Sequence, residues 1–262
     1  MTVANHTTCA PKIKAVIFDL DGTLLDTETL ADIANLDILV PYLPDGHREK
    51  HKLLPWELKK QLLGLRGSEW IPILFTFAIR YWNASIPTIN SDDIKGNSSD
   101  SYEFCPTLIN EFWKKWEHRL GELCYDARPC PGAETLVQDL ARKGIPMGIA
   151  TSSRAESVQK KRRKNEALFK NINTIVSGDD PAVHNGKPAP DIYIEAAMRM
   201  GVDPKHCLVF EDSLSGAQSG KSAGCYVIAV PDVRMDKRLF VKEADLILPD
   251  LTHFDGKLYG IE

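Results

Sequence analysis

No apolar run in this 262-residue chain approaches the ~20 residues that a membrane-spanning helix needs. Met1 to Pro11 is polar and lacks the apolar stretch of a secretory signal, so the expected location is cytoplasmic. The N-x-S/T triplets headed by Asn5, Asn83 and Asn97 then read as chance matches. The cysteines (Cys9, Cys105, Cys124, Cys130, Cys207 and Cys225) include no C-x-x-C pair, a usage that suits a reducing cytosol. Cys207 and Cys225 adjoin apolar runs and read as buried thiols. There is little surplus charge of either sign: a net charge of −4 gives no global attraction to nucleic acid or anionic membrane. Internal repeats and long low-complexity tracts are also missing, which sets repeat architectures aside.

What is present is an ordinary globular composition, 43% hydrophobic and 26% charged, long enough for one large domain or two unequal ones. The chain is organised around Ala15-Val16-Ile17-Phe18-Asp19-Leu20-Asp21-Gly22-Thr23. Its short apolar run, β-branched at Val16 and Ile17, predicts a buried parallel strand over Ile13 to Leu20. Asp19 and Asp21 then lie at its C-terminal end, where open α/β sheets bind ligands. Two carboxylates so close repel each other unless a positive charge sits beside them, and a hard divalent cation such as Mg²⁺ is the usual answer.

The sequence predicts three segments: 1–28 and 130–262 form a core, and 29–129 forms a helical cap inserted after the first strand. In the insert, apolar residues recur at helical spacing in Leu30–Leu39, Trp56–Leu63, Trp70–Trp82 and Leu108–Leu123. All five tryptophans fall there, and Asn90 to Ser101 reads as a polar loop. Alternating elements follow: a helix with an apolar face at Ala133, Leu136, Val137, Leu140 and Ala141, and a strand at Ile145–Ala150. A basic helix over Glu156–Phe169 and a strand at Thr174–Val176 come next. A helix at Asp191–Met200, a strand at Cys207–Phe210, a helix at Leu214–Ala223 and strands at Tyr226–Val230 and Leu246–Leu248 complete the chain. This alternation predicts an α/β fold, a Rossmann-like parallel sheet with helices on both faces.

Strands in this reading end at Asp19/Asp21, at Thr151, at Asp179/Asp180 and at Glu211/Asp212, with Lys187 in the loop before the last. Parallel strands would gather these groups on one edge. Together they offer what phosphoryl transfer needs: a nucleophile, an acid/base, a metal site, and a hydroxyl and an ammonium for phosphate oxygens. Each has a plainer reading. Asp19/Asp21 could be a solvated turn, Thr151 a helix cap, and Lys187 a surface lysine. One of Asp179 and Asp180 could sit near the metal, the other in an ordinary turn. Lys160 to Lys164 reads as a solvated helix face.

Phe18-Asp19-Leu20-Asp21-Gly22-Thr23, Thr151, Lys187-Pro188 and Glu211-Asp212 resemble the four ordered motifs of the haloacid dehalogenase-like hydrolases. Gly178-Asp179-Asp180-Pro181, Gly186 to Asp191 and Val209 to Asp212 are similar to its pseudouridine-5′-phosphatase and glycerol-3-phosphatase group. Ser213-Leu214 departs from the Ala-Pro of that group. The resemblance implies a Mg²⁺-dependent phosphatase of a small phosphorylated metabolite, acting through an aspartyl-phosphate. Asp19 would be the nucleophile and Asp21 the acid/base. Thr151, Ser152 and Lys187 would bind the phosphate. Asp19, Asp21 through its backbone carbonyl, Glu211 and Asp212 would serve the metal. Arg66, in Gly64-Leu65-Arg66-Gly67, would read the substrate. The connectors near Asp26–Thr29 and Arg128–Pro131 would let the cap act as a lid. The only partner expected is the metabolite, with neither nucleic acid nor membrane, for a monomeric chain. A β-phosphoglucomutase-like phosphosugar mutase is the enzymatic alternative, and a catalytically silent phosphate sensor the alternative of another class.

Overall fold

A computed structural model describes residues 12–63, 65, 67–89 and 102–261. Its strands are β1 (Ala15–Phe18), β2 (Met147–Ala150), β3 (Thr174–Val176), β4 (Cys207–Glu211), β5 (Tyr226–Ala229) and β6 (Leu246–Ile247). They form one parallel sheet in the order β3-β2-β1-β4-β5-β6. Its helices are α1 (Glu28–Leu39), α2 (His47–Lys50), α3 (Trp56–Leu62), α4 (Gly67–Trp82), α5 (Pro106–Leu123), α6 (Ala133–Arg142), α7 (Ala155–Lys164), α8 (Glu166–Phe169), α9 (Asp191–Arg199) and α10 (Leu214–Ser222). The fold is α/β, with a helical cap inserted after the first strand. No helix among the described residues is long and apolar enough to cross a membrane.

The central strands β1, β2 and β4 are buried on both faces, which is why they read as continuous apolar runs, while the edge strands β3 and β6 are partly exposed. Ala15, Ile17, Val209, Val227 and Ala229 share one core with Ile192, Tyr193, Ala196 and Ala217 of α9 and α10. The alternate residues Val16, Phe18, Leu208 and Phe210 point the other way and are also fully buried. β1 is shorter than the expected Ile13–Leu20, because the Leu20 carbonyl turns away to accept from the amides of Leu24 and Leu25. The basic helix expected over Glu156–Phe169 breaks into α7 and α8 at Asn165. That side-chain amide donates to the carbonyls of Ala127 and Lys161.

The chain divides into two compact units, one made of the described residues of Met1–Glu28 with Cys124–Glu262, the other of Thr29–Leu123. The return to the first unit thus falls at Cys124, earlier than the boundary expected after residue 129. The turn Cys124–Asp126 belongs with α7, where Lys164 pairs with Asp126. Segments 24–26 and 128–130 also bond to each other, Asp26 N–H to the Arg128 carbonyl and Cys130 N–H to that of Leu24. The second unit has its own core, with Leu58, Trp70, Leu74, Phe75 and Phe112 at its centre.

Two substitutions test this packing. A Cβ on Gly216 of α10 would lie 1.7 Å from Glu211 Oε1 at the end of β4. Gly216→Ala is expected to lower stability by about 1–3 kcal/mol, the usual range for overpacking. An unchanged urea midpoint would contradict the close approach. Phe75 is fully buried, with ring centroids 5.1 Å from Phe104 and 4.9 Å from Phe112. Phe75→Ala should destabilise the second unit by about 3–5 kcal/mol. Tryptophan fluorescence reads that unit alone, because Trp56, Trp70, Trp82, Trp113 and Trp116 all lie in it.

Candidate active site

The parallel register sets the site. Phe18 pairs with Phe210 and with Ile149, so β1, β2 and β4 end level with one another. Asp19 follows β1, Thr151 follows β2, and Glu211 closes β4 with Asp212 after it. Lys187 enters from the loop before α9. Its Nζ donates to Asp19 Oδ1 at 2.5 Å, to Glu211 Oε1 at 2.6 Å and to the Ala150 carbonyl at 3.1 Å. The lysine expected in a functional loop is therefore almost fully buried, with 5% of its side chain exposed.

Glu211 is held from every side. Its Oε1 also accepts from Tyr193 Oη at 2.7 Å, and its Oε2 accepts from the Ser213 amide at 3.1 Å and from Ser213 Oγ at 3.0 Å. The Ser213 hydroxyl thus contributes a bond of its own. Asp212 accepts from Thr23 Oγ1 at 3.3 Å. Gly22 adopts φ +87°, and a Cβ there would stand 2.2 Å from Asp212 Oδ2. Only glycine serves at this turn.

Asp21 faces a different set of donors. Lys161 Nζ lies 2.5 Å from its Oδ1. Ser153 Oγ donates to Oδ2 at 2.7 Å and Thr151 Oγ1 at 3.2 Å, while Lys161 also reaches Ser153 Oγ at 2.9 Å. Thr151 does not cap α7, since its hydroxyl accepts from the Ser153 amide and is otherwise turned to Asp21. The hydroxyl beside Asp21 is that of Ser153; Ser152 is exposed, its carbonyl against Gly178.

Several sequence expectations change. Among the described residues Asp179 joins no carboxylate cluster: it accepts from the Ala155 amide at the start of α7. Asp180 makes a two-pronged pair with Arg199 at 2.7 and 2.8 Å. The basic run is a solvated face only in part, because Lys161 is buried. Val158, Lys161 and Asn165, all buried, share one stripe of the helical repeat, a signal present in the sequence. Arg66, Gly64 and the Asn90–Ser101 loop lie outside the described residues.

The electrostatics divide the site. Among the described residues, Asp19, Glu211 and Asp212 each offer a carboxylate oxygen, all within 4.8 Å of one another. One ammonium faces these three carboxyl groups. Burial pushes Asp19 up to about 8; Lys187 opposes this, while the nearby Glu211 and Asp21 add to it. Burial, then Glu211 and Asp19, raise Asp212 well above the carboxylate range. Asp21 moves the other way: burial would raise it, but the charge and bond of Lys161 together with bonds from Ser153 and Thr27 draw it below its ordinary value. A buried all-oxygen cluster short of positive charge suits a hard divalent cation. Cys130, whose Sγ lies 3.6 Å from the Gly22 carbonyl, is pushed up to about 12, chiefly by burial.

Known proteins resemble this chain along most of its length. The haloacid dehalogenase-like hydrolase family matches residues 13–224. A probable pseudouridine-5′-phosphatase of Drosophila melanogaster is 35% identical over 253 residues, 95% of each chain. (DL)-glycerol-3-phosphatase 1, mitochondrial, of Arabidopsis thaliana is 35% identical over 252 residues, 95% of this chain and 74% of its own. A crystal structure of a HAD hydrolase, family IA, variant 3, from Entamoeba histolytica shares the fold, with TM-score 0.69 at 24% identity over 95% of this chain and 99% of that one. A family match that spans β1 to α10, with relatives aligned over 95% of the sequence, shows that the chain belongs to the haloacid dehalogenase-like hydrolase family.

Proposed function

We propose that this phosphoric monoester hydrolase is Mg²⁺-dependent and acts on a small phosphorylated metabolite through an aspartyl-phosphate. The observation that carries the reading is the buried Asp19–Lys187–Glu211 cluster beside Asp212, with Asp21 two residues along the chain in a separate set of donors.

In this reading the Asp19 carboxylate attacks phosphorus, and Asp21 protonates the departing oxygen. Asp21 then takes a proton from the water that attacks the same phosphorus, and Asp19 is released. Lys187 and Thr151, with Ser152, would hold the phosphoryl oxygens, Lys187 and Thr151 each turning a donor from a present acceptor to do so. Asp19, Asp212 and the Asp21 backbone carbonyl would hold Mg²⁺, which when bound offsets negative charge on the phosphoryl group. Both Glu211 oxygens already accept two hydrogen bonds each, which fills a carboxylate's roughly four lone-pair sites. Glu211 therefore supports the site by fixing Lys187. An alkyl ester oxygen leaves badly without a proton, so the acid at position 21 suits phosphate esters. The relatives at 35% identity are named phosphatases, which favours hydrolysis over a phosphosugar mutase. Their names point to pseudouridine 5′-phosphate and glycerol phosphate as first substrates to try, with sugar phosphates beside them.

The test is phosphate release from a panel of these esters with Mg²⁺. Steady release without a bisphosphate primer is expected, and its absence across the panel would support the silent-sensor alternative. Asp19→Asn should lower turnover by at least about a thousandfold, the scale of losing a covalent nucleophile. Its circular dichroism should match the parent's, since the amide is nearly isosteric. Residual activity within tenfold of the parent would refute Asp19 as nucleophile. Chelation should abolish activity and Mg²⁺ restore it. Ca²⁺ should inhibit, because it takes more ligands at longer distances. Equal rates with Ca²⁺, or full activity in excess chelator, would refute the metal assignment.

A further inference from the structure

Lys161 is a charged residue buried where a surface residue was expected. Only 3% of its side chain is exposed, against 27% for Asp21, its partner. The helix that carries it is fixed at both ends. Asp179, in the loop after β3, accepts from the Ala155 amide at 2.9 Å at the start of α7. At its far end Asn165 Nδ2 donates to the Lys161 carbonyl at 2.9 Å and to the Ala127 carbonyl at 3.1 Å. The ammonium is thus brought to Asp21 by an anchored helix rather than by a loose surface chain.

The bonds around Asp21 define the plane of its carboxylate. Oδ1 is taken by Lys161, and Oδ2 by Ser153 and Thr151. Ser153 is itself held by Lys161 at 2.9 Å. With one oxygen tied to a helix and the other to the strand end after β2, neither torsion of the aspartate is free. A general acid must be aimed at the leaving oxygen to within a fraction of an ångström, and misplacement by about 1 Å costs about a hundredfold in rate.

We propose that Lys161, with Ser153, is a positioning residue that aims the Asp21 carboxylate at the leaving-group oxygen. This rests on the reading of Asp21 as the general acid. Lys161 touches neither phosphorus nor the leaving group; it acts through Asp21. A lysine that merely held the fold together would affect every substrate alike. A lysine that aims the acid matters only where the leaving oxygen needs a proton.

The experiment compares kcat/KM for glycerol 3-phosphate, whose alkoxide needs that proton, with 4-nitrophenyl phosphate, whose leaving group departs without one. kcat/KM covers the steps up to departure of the alcohol. Lys161→Met keeps the apolar stem and removes the ammonium. It is expected to lower kcat/KM for glycerol 3-phosphate by about a hundredfold and to leave 4-nitrophenyl phosphate nearly unchanged. In an Asp21→Asn background the same change should add nothing, because the group it aims is gone. Ser153→Ala, a milder variant, should shift the two esters in the same direction by less, and it serves alone if Lys161→Met does not fold. Equal losses on both esters, or losses that multiply with Asp21→Asn, would overturn the clamp. If Asp21→Asn lowers both esters equally, Asp21 is not the acid and the underlying reading fails. If Asp21→Asn is selective and Lys161→Met is not, the clamp alone fails.

Discussion

The core of this protein depends on a buried lysine. Lys187 stands among Asp19, Glu211 and the Ala150 carbonyl, so β1, β2 and β4 all meet at one ammonium. Taking a charge out of water is costly unless it is paired and fully hydrogen-bonded. Here the pairing is supplied by strand ends that parallel register has already brought level. The surrounding structure follows from this demand. Tyr193 and Ser213 complete Glu211, Gly216 leaves it room, and Gly22 lets the chain turn beside Asp212. Residues of helix and turn alike are shaped by a cluster of charge.

The strand ends were legible because their chemistry is local. An apolar run followed by Asp-x-Asp-Gly, and another followed by Glu-Asp, announce buried strands whose polar ends share an edge once the strands are parallel. Lys187 could be placed because Gly186 and Pro188 mark its loop between two such strands. What escaped depended on the third dimension. Lys161 sits inside Lys-Lys-Arg-Arg-Lys, and a charge run reads as a solvated face until its helical phase is set by Val158 and Asn165. Asp179 sits beside the edge yet turns to a helix amide, a choice between two neighbouring donors that spacing does not reveal. Ser152 and Ser153 are adjacent and alike, and only the course of the chain after β2 tells which faces Asp21.

The boundary of the insert shows the same limit. Composition changes near residue 129, where alternating strands and helices resume. Packing changes earlier, because Cys124–Asp126 and Ala127 attach to α7 and Asn165. Composition reports which secondary structure a segment favours; membership of a unit depends on what the segment touches.

Asp19 and Asp21 are separated by one residue but occupy opposite electrostatic settings. Asp19 lies in a buried cluster with too little positive charge and is pushed up; Asp21 lies against Lys161 and is drawn down. In the proposed reaction the nucleophile must be ionised and the acid must carry a proton, which is the reverse of that order. A divalent cation beside Asp19 and Asp212 would supply the charge that the acidic cluster lacks and favour the ionised nucleophile. On the other side, transfer of the proton from Asp21 to the leaving oxygen restores the carboxylate that Lys161, Ser153 and Thr151 are arranged to receive. The donors around Asp21 would be complementary to the carboxylate left when that proton transfer is complete, and the protonated acid would have to form against them. The fold gives one carboxylate an acidic neighbourhood and the other a basic one, and in the proposed reaction that difference would divide the chemistry between them.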